Sequence, residues 1–242
     1  MNNPKIIVDL DHFYTQTQAL AFAMYIDPNQ IGLRIGLSLF VRTGPDIIKH
    51  LTKRGFQIFL DLKFNDIPET MVRAIHSLSH LEIWMLSVSA FSSTKGLHAI
   101  RNYVNTMKHS IKPLLIAETV LSNLDPQDLN EIGFLPKTEI QIQRLAKIAF
   151  RSQFEGIICP PKEILGIRKI PGIEKDFLLL VPFENYSDKR THQSNRILSL
   201  RKIYQNGGEH CILMVGQEII HSVDPMQHLE DISKDIPNFS FS

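Results

Sequence analysis

The chain contains 242 residues, of which 43% are apolar and 21% are charged, and its formal net charge is +1 at pH 7. This composition is typical of a globular protein, and the small net charge gives no reason to expect nucleic acid or an anionic membrane as a partner. No apolar run approaches the ~18 residues that a membrane-spanning helix requires, and the amino terminus shows no signal peptide.

Eight short apolar runs, many of them rich in β-branched residues, recur along the chain. Most of them are apolar on both faces, as strands buried in a parallel sheet are. In chain order they are KIIVDL, GLRIG, QIFLDL, EIWMLSV, PLLIAET, GIICP, FLLLVP and CILMVG.

Amphipathic segments that predict helices lie between these runs. They include TQTQALAFAMYI, GPDIIKHLTKRG, PETMVRAIHSLSHL, TKGLHAIRNYVNTM and EIQIQRLAKIAFRS. Pro45 and Pro68 are helix-start signals, and Gly55 is a helix-stop signal. Eight strands that alternate with helices in a chain of this length predict an α/β fold, namely a (β/α)8 TIM barrel.

The sequence predicts a single barrel domain over residues 1–236 and a loosely held tail over 237–242, because no Pro/Ser-rich linker divides the chain. An open, doubly wound sheet is the alternative fold. It is disfavoured because no Gly-rich dinucleotide-binding turn follows the first strand.

Polar and charged residues lie at the end of seven of the eight predicted strands or just after it. They are Asp9 and Asp11, Arg34, Asp61 and Lys63, Ser87 and Ser89, Glu118 and Thr119, Glu184 and Asn185, and Gln217 and Glu218. In a TIM barrel the carboxyl ends of all eight strands meet at one face, where the active site lies. The sequence therefore predicts a charged site at that face.

The stretch DLKFNDIPET, residues 61–70, places a lysine between two aspartates at the end of the third strand. The period of two in a strand directs Asp61 and Lys63 to the same face, toward the barrel mouth. Asp66 and Glu69 have the spacing of a capping box, so Asp66 is also a candidate N-cap. Asp61 and Lys63 could be a structural ion pair, although burying each charge costs several kcal/mol.

Three chemical uses of Lys63 are compatible with this spacing. A Schiff-base lysine needs a lowered pKa, whereas flanking carboxylates keep a lysine protonated. Two aspartates could bind Mg²⁺, but the ammonium group between them competes for the same position. A permanently charged lysine that donates a proton to a carbanion, with the aspartates orienting it, fits best.

The stretch IFLDLKFNDIPET closely resembles the signature of orotidine 5′-phosphate decarboxylases. Pro68 and Thr70 within it favour this branch over the metal-using sugar-phosphate relatives. Further segments are similar to the bacterial enzymes, so the resemblance extends over nearly the whole chain: LRIGLSLFVRTGP, PLLIAETVLSNLDPQDL, FEGIICPPKE and VGQEIIHSVDP.

The resemblance implies decarboxylation of orotidine 5′-monophosphate (OMP) to UMP in de novo pyrimidine biosynthesis, without metal or cofactor. The family's charged tetrad maps to Arg34, Asp61, Lys63 and Asp66, with Lys63 protonating the C6 carbanion of the substrate. The family's homodimers imply that Asp66 and Thr70 reach the partner's site. The implied substrate-binding residues are Asp11, Thr70, Ser122, Asn123, Gln193 and Gln217.

The chain departs from the family pattern in its ligand-binding parts. Arg34 replaces the tetrad's first lysine, and its planar fork is not equivalent to an ammonium group. Asp9 and Glu118 stand where the family has apolar residues, and Ser89 replaces a histidine.

Both phosphate-binding turns of the family lose their arginine in this chain. The first turn reads Pro182, Phe183, Glu184 and Asn185, and the second reads Gly216, Gln217 and Glu218. Candidates to restore the positive charge are Lys189, Arg190 and Arg196.

Two hypotheses from different classes follow. The first is a working OMP decarboxylase with a rebuilt phosphate loop. The second is a non-catalytic paralogue that retains the barrel and dimer for binding or scaffolding. A sugar-phosphate lyase of the same superfamily is a third alternative.

The remaining motifs predict no further chemistry. His76 and His80 have a metal-compatible spacing on a helix but no third ligand, so no metal site is predicted. Cys159 and Cys211 each lie in an apolar run and are predicted to be reduced core residues of a cytoplasmic protein.

Overall fold

The computed structural model describes residues 4–108, 112–183, 200–234 and 236. Eight parallel strands pair in sequence order, and β8 closes the barrel on β1. The strands are β1 Ile6–Asp9, β2 Ile31–Gly36, β3 Ile58–Phe64, β4 Met85–Ser89, β5 Leu114–Glu118, β6 Gly156–Ile158, β7 Leu178–Pro182 and β8 Cys211–Val215. The predicted (β/α)8 barrel is confirmed, each apolar run overlaps one strand, and the alternative of an open sheet is wrong.

Helices connect these strands and cover the outside of the barrel. They are α1 Gln16–Phe22, α2 Leu37–Thr43, α3 Asp46–Thr52, α4 Pro68–Ser77, α5 Ser93–Thr106, α6 Pro126–Glu131, α7 Thr138–Arg151, α8 Ile164–Arg168, α9 Leu200–Gly207, α10 Gln217–Ile220 and α11 Pro225–Ser233. The five segments predicted from their amphipathic pattern correspond to α1, α3, α4, α5 and α7, with ends that differ by up to four residues. The other helices of the described residues, α2, α6, α8, α9, α10 and α11, lie outside these five segments.

The interpretation of Asp66 as the N-cap of α4 is wrong. The N-cap is Ile67, which has extended backbone angles and no side-chain capping bond. Pro68 is the first helical residue, and a proline disfavours helical backbone angles in the residue before it. The helix therefore begins one residue later than a capping box from Asp66 to Glu69 requires.

The interior of the barrel is an apolar plug made by alternate residues of the strands. Its members are Ile7, Phe59, Met85, Ile116, Ile158, Leu178, Leu180, Ile212 and Met214. A larger apolar cluster fills the space between the barrel and the helices. Because strand side chains alternate, the next inward residue after Ile7 is Asp9, and the next after Ile116 is Glu118. The plug therefore forms the floor under a layer of charged residues.

Several smaller predictions can be compared with the described residues. Cys159 and Cys211 are buried and free, as predicted. Among the described residues, no helix is long and apolar enough to cross a membrane. The predicted tail, 237–242, lies outside the described residues.

We expect Gly156→Ala to destabilise the protein by about 1–3 kcal/mol, as overpacking of a core does. A Cβ atom at Gly156 would lie 2.5 Å from the carbonyl oxygen of Leu178 on the paired strand, and backbone cannot move aside cheaply. The measurement is urea unfolding followed by circular dichroism.

The matched control is Gly166→Ala in α8. Its Cβ would meet only the flexible end of the Gln143 side chain, at 2.9 Å. This variant should be neutral or gain up to about 1 kcal/mol of helix stability. Equal effects of the two substitutions would contradict the assigned role of Gly156.

Candidate active site

A cavity of about 190 Å³ opens at the carboxyl ends of the strands, above the apolar plug. One side of it is charged and is formed by residues from β1, β2, β3 and β5: Asp9, Arg34, Asp61, Lys63 and Glu118. The opposite side is largely apolar and includes Ile158, Pro160, Pro182, Phe183 and Met214. The cavity can therefore hold a flat apolar group with a polar edge turned toward the charges.

Arg34 joins the carboxylates of the two neighbouring strands. Its Nε and Nη2 atoms both lie 2.6 Å from Oδ2 of Asp61, and its Nη1 donates to Asp9, its register partner on β1. A lysine has a single ammonium group, whereas the arginine fork spans two carboxylates at once. Arg34 and Asp9, two separate departures in the sequence, thus form one structural unit.

Lys63 lies between Asp61 and Glu118. Its Nζ is 2.9 Å and 2.7 Å from the two oxygens of Asp61 and 2.7 Å from Oε2 of Glu118. An ammonium group has three donors, so the carboxylates of this one chain satisfy all of them. Asp61 is only 2% exposed and Glu118 is 7% exposed.

The backbone at Lys63 is irregular. Leu60 of β3 pairs with Leu86, and Phe64 pairs with Val88, so β3 carries two extra residues opposite β4. Lys63 lies in this bulge with φ of +50°, a region that L-residues avoid at a cost of about 1–3 kcal/mol. The buried hydroxyl of Ser87 accepts the Lys63 amide hydrogen at 2.8 Å and so holds this conformation. The bulge aims the Lys63 ammonium into the cavity.

The pKa values of Asp61 and Lys63 shift in opposite directions. Burial opposes the ionised form of Asp61, but the charges of Arg34 and Lys63 outweigh it and lower the pKa of Asp61 below its ordinary value. Burial likewise opposes a charged Lys63, yet the carboxylates of Asp61 and Glu118 raise the pKa of Lys63 above its ordinary value. Both groups are therefore ionised at neutral pH.

Glu118 behaves differently from Asp61. Burial raises the pKa of Glu118 above its ordinary value, and Lys63 offsets this only partly. The negative charge of Asp61 adds to the rise. The physical reason is that Lys63 divides its single charge between two carboxylates, and Asp61 has Arg34 as a second cation. Glu118 is thus the carboxylate at this end of the network that most readily takes up a proton.

Asp11 caps the amino terminus of α2. Its carboxylate accepts hydrogen bonds from the backbone amides of Leu39, at 2.6 Å, and Ser38, at 3.4 Å, in the first turn of α2. The N-cap of that helix, Gly36, has no side chain to do so. A Cβ at Gly36 would lie 2.6 Å from the Asp11 carboxylate, so glycine is required there. Asp11 is not among the residues that line the cavity.

The other predicted residues divide by location. Ser122 lines the cavity, whereas Asn123 is exposed outside its lining. Asp66 is exposed and accepts a hydrogen bond from the Ile67 amide, and Thr70 accepts one from Arg73. Gln217 is exposed at the first position of α10. The other predicted residues lie outside the described residues: Gln193, Glu184, Asn185, Lys189, Arg190 and Arg196.

Sequence reasoning missed His12 as a cavity residue. Its Nε2 lies 3.8 Å from Oδ2 of Asp9. A Cβ atom at Gly216 would lie 3.1 Å from the same Nε2, so the glycine leaves room for the ring. Its position just after Asp11 at the end of β1 was the available signal. Across the described parts of the chain, no group of three or more His, Cys, Asp or Glu residues is arranged to hold a metal ion.

Comparisons with known proteins agree over nearly the full length. Residues 4–232 match the profile of the "Orotidine 5'-phosphate decarboxylase / HUMPS family". The chain is 36% identical over 236 residues to orotidine 5′-phosphate decarboxylase of Nitrosomonas eutropha, covering 98% of both chains. It is 35% identical over 236 residues to that of Nitrosospira multiformis, covering 98% of this chain and 95% of the relative. Its fold is similar to the crystal structure of orotidine 5′-phosphate decarboxylase from Lactobacillus acidophilus, with a TM-score of 0.81, 27% identity, and coverage of 97% and 100% of the two chains.

We expect Asp61→Asn to lower the free energy of unfolding by about 3–5 kcal/mol at neutral pH, because two half-buried cations lose the buried anion that they share. The folded-state pKa of Asp61 lies below its ordinary 3.8, so its ionised form stabilises the fold above about pH 4 and this stability is lost as the pH falls through the lowered value. The difference between wild type and variant should therefore narrow below pH 4. Urea unfolding between pH 3 and pH 7 measures it.

Asp46→Asn is the matched control, because Asp46 pairs with Lys49 on the exposed surface. Its effect should stay close to the experimental error throughout the pH range, since surface ion pairs contribute little. A difference for Asp61→Asn that does not depend on pH would contradict the role of the ionised carboxylate.

Proposed function

The chain belongs to the orotidine 5′-phosphate decarboxylase / HUMPS family, and from this we propose that it is a carboxy-lyase that converts OMP to UMP in pyrimidine biosynthesis. The observation that carries the proposal is the lysine at the base of the cavity. Lys63 is held between the carboxylates of Asp61 and Glu118, which keep its ammonium group charged. A charged, oriented ammonium group is what protonation of a carbanion requires.

The reaction breaks the bond between C6 of the pyrimidine and its carboxylate. The electron pair of that bond stays on C6, and the carboxylate leaves as CO₂. Lys63 then donates a proton from Nζ to C6, which gives UMP, and it recovers a proton from water. The carbanion is stabilised electrostatically by the ammonium group before the proton moves.

Asp61 sets the electrostatics of this step. It is buried and ionised, with Arg34 and Lys63 fixing both of its oxygens. In the proposed complex the substrate's carboxylate lies beside Asp61, and the two negative groups repel each other. When the carboxylate leaves as neutral CO₂, its negative charge passes to C6 and this repulsion between carboxylates ends. Arg34 is a positioning residue in this account, because it holds Asp61 rather than the reacting atoms.

The shape of the cavity supports a pyrimidine substrate. Its apolar wall, with Pro160, Pro182 and Met214, can pack against the flat ring, and Ser122 can hydrogen-bond to the polar edge of the ring. Asn123, next to Ser122, is also proposed to lie near the pyrimidine, and the proposed ligands of the ribose and phosphate are Asp11, Gln193 and Gln217. Asp11 is engaged by the amides of α2, so binding of a ribose hydroxyl would use the remaining acceptor capacity of its carboxylate.

We propose a homodimer in which Asp66 and Thr70 contribute to the partner's site. Asp66 is exposed and Ile67 beside it is 61% exposed. Leu37 and Val41, 59% and 74% exposed, lie one turn apart on α2. α2 and the 65–67 loop both leave the barrel after neighbouring strands, since Gly36 of β2 is the register partner of Asp61. Exposed apolar residues at the rim of a site are typical of an interaction surface.

The chain is proposed to act in the cytoplasm. Its two cysteines are free and buried, which is typical of proteins in a reducing compartment.

CO₂ release from OMP tests the activity directly. We expect Lys63→Ala to lower kcat by at least about 100-fold, the contribution of a positioned proton donor. The matched control is Lys49→Ala, which removes an exposed lysine paired with Asp46 and should keep full activity. Release of CO₂ by the wild type at the rate of Lys63→Ala would refute the proposed activity and favour a non-catalytic paralogue.

Mixing of two inactive variants tests the shared site. Lys63→Ala and Asp66→Ala chains should each be inactive as homodimers, but a hybrid dimer contains one site with both residues intact. Equal mixing with subunit exchange should restore about a quarter of wild-type activity, because half of the dimers are hybrids with one good site each.

Recovery of activity requires a dimer, and Val41→Asp is the control for this requirement. It places a charge on the exposed face of α2 and should yield monomers by analytical ultracentrifugation. Ile132→Asp changes a comparably exposed residue, 57% exposed, just after α6 and should remain dimeric. If the hybrids regain no activity although they form, Asp66 does not serve the partner's site.

A further inference from the structure

The cations at the base of the cavity are already occupied by the chain's own carboxylates. Arg34 donates to Asp61 and Asp9, and Lys63 donates to Asp61 and Glu118. Two cations thus face three carboxylates, which leaves one negative charge in excess when all are ionised. A ligand that brings a further carboxylate meets repulsion unless one of the three is neutralised.

Glu118 is the carboxylate that can be neutralised with least disruption. Asp61 is held by Arg34 as well as Lys63, and Asp9 is held by Arg34 and by the Asp11 amide. Glu118 has Lys63 as its hydrogen-bond partner among the described residues, and its carboxylate faces the cavity. Release of that one bond frees a donor of Lys63.

We propose that Glu118 is a specificity-determining residue whose carboxylate occupies the position on Lys63 that a substrate's carboxylate needs, so that a carboxylate-bearing pyrimidine nucleotide binds together with one proton taken up by Glu118. This inference rests on the proposed function and names how the same site selects its ligand. UMP has no such carboxylate and binds without this proton.

The groups that face Glu118 support this assignment of the proton. Lys63 and Asp61 approach it from β3, and the charge of Arg34 acts on it from β2. Ser89 is its register partner on β4, and the Cys159 thiol, whose pKa is raised by burial, follows β6. Burial raises the pKa of Glu118 while the pKa of Asp61 is lowered, so the proton goes to Glu118.

The sign of the pH dependence follows from linkage. A ligand that binds only the protonated form loses affinity tenfold for each pH unit above the pKa of Glu118 in the free protein. The kcat/KM for OMP reports ionisations of the free enzyme, so it should fall in the same way. The dissociation constant of UMP should change by less than about threefold over this range.

The variants to compare are Glu118→Gln, which keeps the shape without the charge, and Glu118→Leu, which removes the polar group. The matched control is Glu163→Gln, because Glu163 is also buried, with a pKa raised by burial, but lies outside the cavity lining. Circular dichroism verifies that each variant is folded, and the pH series runs from 5 to 9.

Both Glu118 variants should flatten the pH profile of kcat/KM and raise kcat/KM over the wild type by tenfold for each pH unit above the pKa of Glu118, while UMP affinity stays within threefold. Glu163→Gln should retain the wild-type profile. A wild-type profile in a folded Glu118 variant overturns the proposal, as does an equal change in OMP and UMP binding.

The test also separates this inference from the proposed reaction. If no variant releases CO₂, OMP persists and its binding can be measured by calorimetry in two buffers of different ionisation enthalpy. Uptake of one proton with OMP but not with UMP, abolished by Glu118→Gln, supports the role of Glu118 although the reaction fails. No proton uptake, or no binding of OMP at millimolar concentration, overturns it.

Discussion

The buried carboxylate of Asp61, shared between two cations, is the interaction on which the site depends. An ion at 2% exposure is stable only when its partners repay the loss of water, and here Arg34 and Lys63 do so from two neighbouring positions on the barrel rim. Each cation then binds a second carboxylate, so Asp9 and Glu118 extend one continuous network across four strands. Removal of the central anion would leave both cations unbalanced.

The fold stabilises this network and also strains it. Closure of the barrel fixes the register of β1, β2 and β3, which brings Asp9, Arg34 and Asp61 together. The bulge in β3 and the positive φ of Lys63 depart from regular geometry. Such strain persists only where surrounding contacts hold it, and the Ser87 hydroxyl and two carboxylates do so here. The strained backbone of Lys63, the proposed proton donor, therefore holds its ammonium group in place before a substrate binds.

The two carboxylates that departed from the family pattern have different consequences. Asp9 binds the second arm of the Arg34 guanidinium, and this contact would accommodate an arginine where the resemblance implies a lysine. Glu118 binds the third donor of Lys63 and brings a negative charge into a cavity proposed to receive another. The resemblance marked both as departures, but only the distances separate Asp9, which pairs with Arg34, from Glu118, which is proposed to alter selectivity.

The sequence by itself determined the barrel and the charged end of it. Eight apolar runs separated by amphipathic segments, and residues such as Asp61 and Lys63 at the ends of the runs, are local patterns, and local patterns are readable without coordinates. The pairing of Lys63 with Glu118, the capping of α2 by Asp11 and the entry of His12 into the cavity were decided by the tertiary structure. These contacts join strands and loops far apart in the chain, and their geometry depends on register, a bulge and a missing Cβ at Gly216, which no local pattern encodes.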